Sequence, residues 1–532
     1  MQDPHLVDIV HNHGATTILT GWIADRRELA VRLGLPVGSN PAKVARSALA
    51  RFGKDTPAEM LGEWSLYHCE PDCTVWLMQA ATTRDSLFFA TNGARLAFAP
   101  DPMALRRLDW IDGGADPEAI AMSVGTYALR LQMGTRSIWR GVEKLMSGES
   151  LRFAGDGTSQ RLGIELLVPQ PRFTGNTNDA LEALEETLRH LLRERLGMTG
   201  HPAMLLSGGL DSSILAALAA QELEAPPIAI CSVAPPGSGI PDEFAYARAV
   251  AERHGIAIEP VCPGPEDDPF RAPIHVMAGA NFPIVSNRHC LISCFQETAR
   301  RLGATMLVDG GFGEMTITSR LPQPPTLRQR LGAIKRYVLS NLQPAHRDFH
   351  VVLAPHRLTP VARARSDSAK PLQRICEVPD RIGYIAGSEK GLSHCNAYFA
   401  GALRMDIPFR DLRLLRLYAS LPRELAYALG PDRGPVRTIG KGLLPEEVRL
   451  RKRGMPADPG HYARLQAFAT PARSRIAAFR AAGIDDWLDI GWLDHALTRV
   501  AERGVANVRD ANSVQLTALA AEYLTWALGG AE

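Results

Sequence analysis

No uninterrupted apolar stretch in this 532-residue chain reaches the ~18 residues that suggest a membrane span. The amino terminus, with Asp3, His5, Asp8 and His11, lacks the apolar core of a signal peptide. A globular protein that stays in the cytoplasm is the expectation. Cysteine is scarce as well. Eight in a chain of this length are too few for a disulfide scaffold, so free thiols are expected. Cys69 with Cys73, and Cys290 with Cys294 beside His289, lack a second Cys/His pair at zinc-site spacing and read as core thiols. An excess of charge of one sign is also missing. Lys plus Arg number 59 against 57 Asp plus Glu, so the overall field neither draws nucleic acid nor repels acidic substrates. Repeats and low-complexity tails are absent, and 45% hydrophobic content over this length calls for two or more domains.

Against this background one run stands out: Leu205-Leu206-Ser207-Gly208-Gly209-Leu210-Asp211-Ser212-Ser213. An apolar strand enters a Gly-Gly turn and leaves as a helix, whose free N–H groups and positive dipole end favour an anion. Glycine at 208 and 209 lets the backbone approach a phosphate, and the hydroxyls of Ser207, Ser212 and Ser213 add donors. A carboxylate at Asp211 beside a polyphosphate calls for a cation between them, which makes Asp211 a Mg²⁺ ligand and implies Mg-ATP. No Gly-Lys-Ser/Thr follows the glycines, so this is not the Walker loop.

From Ala203 onward short apolar runs alternate with helical stretches, the pattern of a parallel sheet covered on both faces. Strands are expected at Ala203–Leu206, Ile228–Val233, Ile256–Val261 and Thr305–Val308. Helices are expected at Ser212–Gln221, Asp242–His254 and Arg288–Leu302. Ligands of such sheets sit beyond the carboxyl ends of the strands, where Ser207, Ser232 and Asp309 fall. Leu181, Leu184, Leu188, Leu191 and Leu192 recur at helical spacing and open the second domain after a turn-rich stretch from Val168. The first 170 residues show short strands at Thr74–Met78, Leu87–Ala90 and Leu96–Ala99, with helices near Glu28–Leu33 and Lys43–Phe52. They read as α+β. The segment after Arg453 returns to helix, and the Pro-rich, basic stretch from Pro322 to about Arg365 reads as a loop or insertion.

The loop resembles that of the asparagine synthetase B-type ATP pyrophosphatases, which adenylate a carboxylate and release pyrophosphate. The resemblance extends along the chain. Gly21-Trp22-Ile23-Ala24-Asp25-Arg26-Arg27-Glu28-Leu29, Met60-Leu61-Gly62-Glu63-Trp64-Ser65 and Thr83-Arg84-Asp85-Ser86-Leu87 are similar to segments of class II glutamine amidotransferase domains. Their nucleophile is a cysteine directly after the initiator Met. Here position 2 is Gln2, and a carboxamide is no nucleophile. The resemblance thus implies a degenerate amidotransferase-like domain of Ntn type over 1–170, a linker over 171–179, and a doubly wound, parallel-sheet synthetase domain with a helical carboxyl end over 180–532. The fold class is α/β joined to α+β.

By the same resemblance ATP and its pyrophosphate are held by Leu205, Ser207, Gly208, Gly209, Leu210, Asp211, Ser212, Ser213, Ser232, Val233 and Gly310. The Asp309-Gly310-Gly311-Phe312-Gly313-Glu314 run supplies a second Mg²⁺ ligand, Glu314 or alternatively Asp309, and Lys452 neutralises developing charge. The catalytic set is Lys452, Asp211 and Glu314. Arg404 stands where the family places a glutamate for the attacking amine, and an arginine is no base. Asp406 and Glu389 are candidates for that proton. The activity implied is AMP-forming amide synthesis. The first reading is a lasso peptide cyclase, joining an Asp or Glu side chain of a leader-free peptide to its own amino terminus. Its partners would be the precursor peptide, a leader peptidase and a leader-recognition protein. A β-lactam synthetase, an ammonia-dependent asparagine synthetase and an inactive scaffold in peptide maturation are the alternatives.

Overall fold

The computed structural model describes residues 7–83, 86–124, 133–163, 171–197, 201–279, 283, 286–321, 351–354, 356, 403–452 and 454–529. Strand β1 (Val7–Asn12) turns through His13 and Gly14, both at positive φ, into β2 (Ala15–Ile23). Such a two-residue turn matches the right-handed twist of a hairpin. With β3 (Gly62–Cys69), β4 (Val75–Gln79), β8 (Glu149–Phe153) and β9 (Ser159–Gly163) they form an antiparallel sheet in the order β1-β2-β3-β4-β8-β9. A second sheet runs β6-β5-β7 from β5 (Leu87–Thr91), β6 (Leu96–Ala99) and β7 (Glu143–Leu145). Besides a short helix α1 (Arg26–Arg32), this part has α2 (Pro41–Phe52), started by Asn40, whose side chain accepts from the Ala42 and Lys43 amides. The apolar face of α2, Val44, Ala45, Ala48 and Leu49, joins Leu19, Trp64 and Leu66 of the sheet in one buried cluster.

The second half begins with α3 (Thr177–Gly197) and then lays down β10 (Pro202–Leu205), α4 (Leu210–Glu222), β11 (Ile228–Ser232), α5 (Phe244–His254), β12 (Ile258–Val261), α6 (His289–Arg301) and β13 (Met306–Val308). These lie within two residues of the expected bounds. A fifth strand, β14 (Arg404–Asp406), pairs with β13 through Met306↔Arg404 and Val308↔Asp406, giving the parallel order β12-β11-β10-β13-β14. At three residues it is too short to show a pattern in the sequence. From β10 the chain steps outward through β11 to β12 and then returns to β13 on the other side of β10. The crevice beyond the carboxyl ends of β10 and β13 is therefore the topological switch point, where such sheets bind ligands.

Helices α7 (Leu412–Ser420) and α8 (Gly434–Ile439) pack on the parallel-sheet half. Three longer helices near the carboxyl end, α9 (His461–Arg473), α10 (Ile490–Arg503) and α11 (Val508–Leu528), do not. Their Leu465, Leu493, Leu497, Leu519 and Leu524 form one buried cluster with Phe88, Ile120, Ile138 and Trp139 of the amino-terminal half and with Phe270. The two ends of the chain thus share a core, reinforced by Arg106, which lies 3.8 Å over the Trp139 ring and donates to the Ala527 carbonyl at 2.9 Å.

Charged pairs join the halves as well. Arg413 of α7 donates to Asp25 at 2.7 Å and to Glu194 at 2.8 Å, and Arg404 lies 3.2 Å from Glu63. Arg195 of α3, 3% exposed, pairs with buried Asp406 and, at 2.8 Å, with buried Asp411, its guanidinium 5.0 Å from the Trp22 ring. Among the described residues no helix is long and apolar enough to cross a membrane. The six described cysteines are free thiols, and the other two, at 376 and 395, lie outside the described residues.

Candidate active site

The site grows from the turn after β10. Gly208 sits at φ +70°, and a Cβ there would lie 2.7 Å from the Tyr246 Cβ and 2.8 Å from the Ala247 amide, so both its conformation and its space require glycine. Gly209, extended, caps α4 and leaves the first helical amides open. Ser212 of the first turn folds back: its Oγ accepts from the Ser207 amide at 3.1 Å and meets Ser207 Oγ at 3.1 Å, locking the loop as a closed ring. Leu210 is buried beneath it, and Leu205 ends β10 half-buried. The hydroxyls of Ser213 and Ser232 are buried with no hydrogen-bond partner among the described residues. Val233, just past β11, is tied to β12 through its amide on the Val261 carbonyl at 2.8 Å.

Across the switch point the loop after β13 closes on this turn. A Cβ at Gly310 would lie 2.8 Å from the Ser212 amide, and one at Gly313 would collide with the Asp211 carboxylate, so two glycines let the strands' ends meet. Asp211 accepts a hydrogen bond from buried Thr318, and the Arg433 guanidinium lies 3.6 Å from it. Burial pushes the Asp211 carboxyl up, with Thr318 and Arg433 opposing. Glu314 is also raised, first by burial and further by the charges of Asp211 and Asp309. Asp211 and Glu314, each resisting ionisation at the switch point, are hard oxygen donors that a divalent cation would relieve. The chemistry of these residues fits Mg²⁺, which Asp211 and Glu314 would hold; Asp309 Oδ1 accepts from the Gly311 amide at 3.2 Å.

Lys452 is exposed and lies next to this loop by virtue of its neighbour. Arg451 stacks over the Tyr246 ring at 4.2 Å, pairs with Glu243 and donates to the Gly208 carbonyl at 3.4 Å. Glu243 also accepts from the Met455 amide, and Arg437 donates to the Arg451 carbonyl at 2.9 Å. The segment carrying Lys452 is thus tied to the Gly208 turn through Arg451, to the start of α5 through Glu243 and to α8 through Arg437.

Of the two sequence candidates for the amine's proton, only Asp406 is among the described residues. Asp406 is 1% exposed and held by Arg195, so its carboxylate is committed to a buried ion pair; Glu389 lies outside the described residues. Arg404, in the position expected of a base, instead faces Glu63 and the Trp22 ring of the amino-terminal half. Sequence reasoning missed Arg433, Thr318 and Arg451. Only Arg451, three residues before Gly454 in a basic run, carried any local signal. Away from the site, His289 is buried with its ring nitrogens 3.1 to 3.3 Å from the carbonyls of Ser286, Asp268 and Arg271, a satisfied core histidine rather than a metal ligand. Among the described residues, Asp25, His190 and Glu194 have metal-ligand spacing. Arg413 already neutralises both carboxylates, and the group is an ion-pair network.

Residues 183–363 match the family model described as asparagine synthase. The match covers about a third of the chain. It begins in α3 and includes the phosphate loop, Asp211, Glu314 and Asp309. A search among curated proteins finds no match. Among solved structures the chain is similar, at 13% identity and a TM-score of 0.19, to the glutamine phosphoribosylpyrophosphate amidotransferase from B. subtilis complexed with ADP and GMP, over 57% of each chain. It is also similar, at 12% identity and a TM-score of 0.20, to a structure of the allosteric regulatory enzyme of purine biosynthesis, over 63% of this chain and 60% of that one. The chain spans less than two thirds of either relative, and neither likeness bears on the site.

Proposed function

We propose that the protein is an ATP-dependent, AMP-forming carbon-nitrogen ligase that closes an amide within one peptide, the reaction of a lasso peptide cyclase. The observation that carries the ligase reading is the convergence of the Ser207–Ser213 loop with Asp211, Asp309 and Glu314 at the switch point, inside the stretch that matches the asparagine synthase family. ATP is a substrate in this reading. Its phosphates would lie against the open amides of α4 and the serine hydroxyls. Mg²⁺ held by Asp211 and Glu314 supplies charge neutralisation on the phosphates. Ser232 and Val233 stand at the end of β11 beside that position, and the buried Ser232 hydroxyl offers an unused hydrogen bond. Lys452, next to Arg451, would offset charge developing on the phosphate and on the attacked carboxyl carbon, where a preorganised cation contributes a large share of rate.

The intramolecular reading rests on Arg404. With that position occupied by a cation paired to Glu63, no carboxylate there prepares a separate amine, and an amine already tethered to the acyl donor needs positioning more than activation. The stretch 322–365, read from the sequence as a loop or insertion and lying mostly outside the described residues, is long enough to suit a peptide substrate better than a free amino acid. A leader peptidase and a leader-recognition protein would then act upstream.

Mass spectrometry tests this directly. Protein with Mg-ATP and a leader-free peptide from a neighbouring small reading frame is expected to convert the peptide to a species lighter by one water as AMP appears. AMP only with aspartate and ammonia would replace the cyclase by an asparagine synthetase. No AMP in either tube would favour a β-lactam substrate or an inactive scaffold. In the active mixture Lys452→Met is expected to leave ATP affinity within ~2-fold and to lower turnover ~10²- to 10³-fold, the cost of removing one charge-stabilising group. Unchanged turnover would remove Lys452 from the mechanism.

A further inference from the structure

Beside the switch point the parallel sheet carries a groove that the site described above does not use. Its walls are the edge strand β12 and the outward face of α6, where His289, Ile292, Ser293, Gln296, Glu297 and Arg300 recur at helical spacing. The groove encloses about 840 Å³. From His289 to Arg300 it runs ~16 Å at 1.5 Å per helical residue, the reach of about five residues of extended chain. Helix α6 connects two parallel strands and so runs against them, which puts His289 at the carboxyl edge of the sheet. Val261 and Cys262 line the same end, and Val261 pairs with Ser232, so this end stands one strand spacing, ~4.8 Å, from the position proposed for the nucleotide. At the far end Arg301 pairs with Glu259 at 2.6 Å and Arg300 with Glu297 at 2.9 Å.

A second cavity of about 710 Å³ shares Glu266, Asp267 and Ser293 with the first and continues past Ile274, 66% exposed, to Trp526 of α11. Where the two join, the wall is acidic. Asp267 accepts from the Gly264 amide at 2.7 Å, Glu266 is exposed, and neither has a cationic partner among the described residues. The other carboxylates of the two cavities, Glu259, Glu297, Asp268 and Glu522, are each paired with an arginine. On the β12 edge Pro260 has no amide to offer, so an occupant is held by side chains rather than added as a sixth strand.

We infer that this groove holds an extended segment of the substrate peptide, the part outside the ring, with a positively charged side chain against Glu266 and Asp267. The inference deepens the proposed ligase reading and rests on it. A free amino acid would leave most of the groove empty, whereas about five extended residues match its length. Val261, Ile292 and Ile274 offer apolar surface to such a chain, and the two unpaired carboxylates select its charge.

Fluorescence anisotropy of the labelled leader-free peptide on the full chain, measured apart from AMP formation, tests this. Ser293→Trp, at a half-buried position facing both cavities, fills their junction. It is expected to weaken the peptide at least ~10-fold and ATP by less than ~2-fold. Glu266→Lys, an exposed charge reversal that leaves the core intact, is expected to weaken the peptide ~5-fold, and less at high salt. A peptide cut back to its ring residues is expected to bind both variants as it binds wild type. Affinity for the intact peptide unchanged in both variants would overturn the groove, as would equal losses for the intact and shortened peptides or a wild type that binds neither. Cyclised product from wild type together with unchanged affinity in the variants would remove the groove and leave the ligase reading standing. Peptide binding that the variants lose, in a wild type that forms no AMP, would keep the groove and overturn the ligase reading.

Discussion

Arg195→Met is expected to destabilise the protein by ~3–5 kcal/mol, the cost of leaving a buried charge without its partner. The guanidinium holds two carboxylates, Asp406 and Asp411, that are themselves buried, and methionine fills the volume while abandoning both. The consequence reaches the site, because the Asp406 carbonyl accepts from the Asp309 amide at 2.8 Å and β14 is held at the sheet edge by few bonds. Denaturant midpoints of the full chain measure the effect. A loss below ~1 kcal/mol would show that Arg413 alone sustains Asp411, as at exposed pairs. The same cluster sets a pH dependence. Burial by itself would raise the Asp411 carboxyl, but Arg413 and Arg195 outweigh it and hold it well below the usual carboxylate range. A depressed carboxylate contributes stability that is present above its ordinary value near pH ~4 and is lost as pH falls through that value toward the depressed one. Wild type is therefore expected to weaken on acidification below pH ~4, and Arg195→Met to show a shallower decline over that window.

Asp211→Asn is expected to lower AMP formation ~10³-fold, which corresponds to about 4 kcal/mol of transition-state stabilisation and is the order a catalytic metal supplies. The substitution is nearly isosteric, and asparagine's carbonyl oxygen still accepts from Thr318, so the fold and the loop geometry survive. What is lost is the charge of the proposed Mg²⁺ ligand. Turnover and the magnesium dependence of ATP binding are the readouts. Turnover within tenfold of wild type would move the metal to Asp309 and Glu314. Recovery of the Asn variant at raised magnesium would confirm a weakened but correctly placed site.

Much of this site was legible in the sequence because its signals are local. The Ser-Gly-Gly-Leu-Asp-Ser-Ser run contains its own strand end, its own sterically required glycine at 208 and its own helix start, and the structure forms them within that stretch. The same holds for the second carboxylate, because Asp309 and Glu314 follow directly from β13. Strand β14 was not legible. Three residues separated from β13 by some hundred others carry no periodicity, and only pairing with a neighbour makes them a strand. The partners of Arg404 and Arg433 were equally hidden. Nothing beside Arg404 in the chain points to Glu63, 341 residues away, or to Trp22. Arg433 reads as an ordinary basic residue in a turn until the 313–321 loop is laced to it. The carboxyl-terminal helices show a third kind of gap. Their apolar faces declare that they are buried but not against what, since hydrophobic burial is non-directional.

By itself, then, the sequence determined the Ser207–Ser213 turn between strand and helix, the alternation of strand and helix that makes a parallel sheet, and the carboxylates at two strand ends, because each follows from backbone sterics and short-range periodicity. Tertiary structure alone decided that Asp406 is a structural anion, that Arg404 belongs to the junction between the halves, that Arg433 faces Asp211, and that the last helices complete the core of the first half. The physical reason is the same in each case. A charged or apolar side chain fixes what kind of environment it needs, and only the folded chain fixes which distant group supplies it.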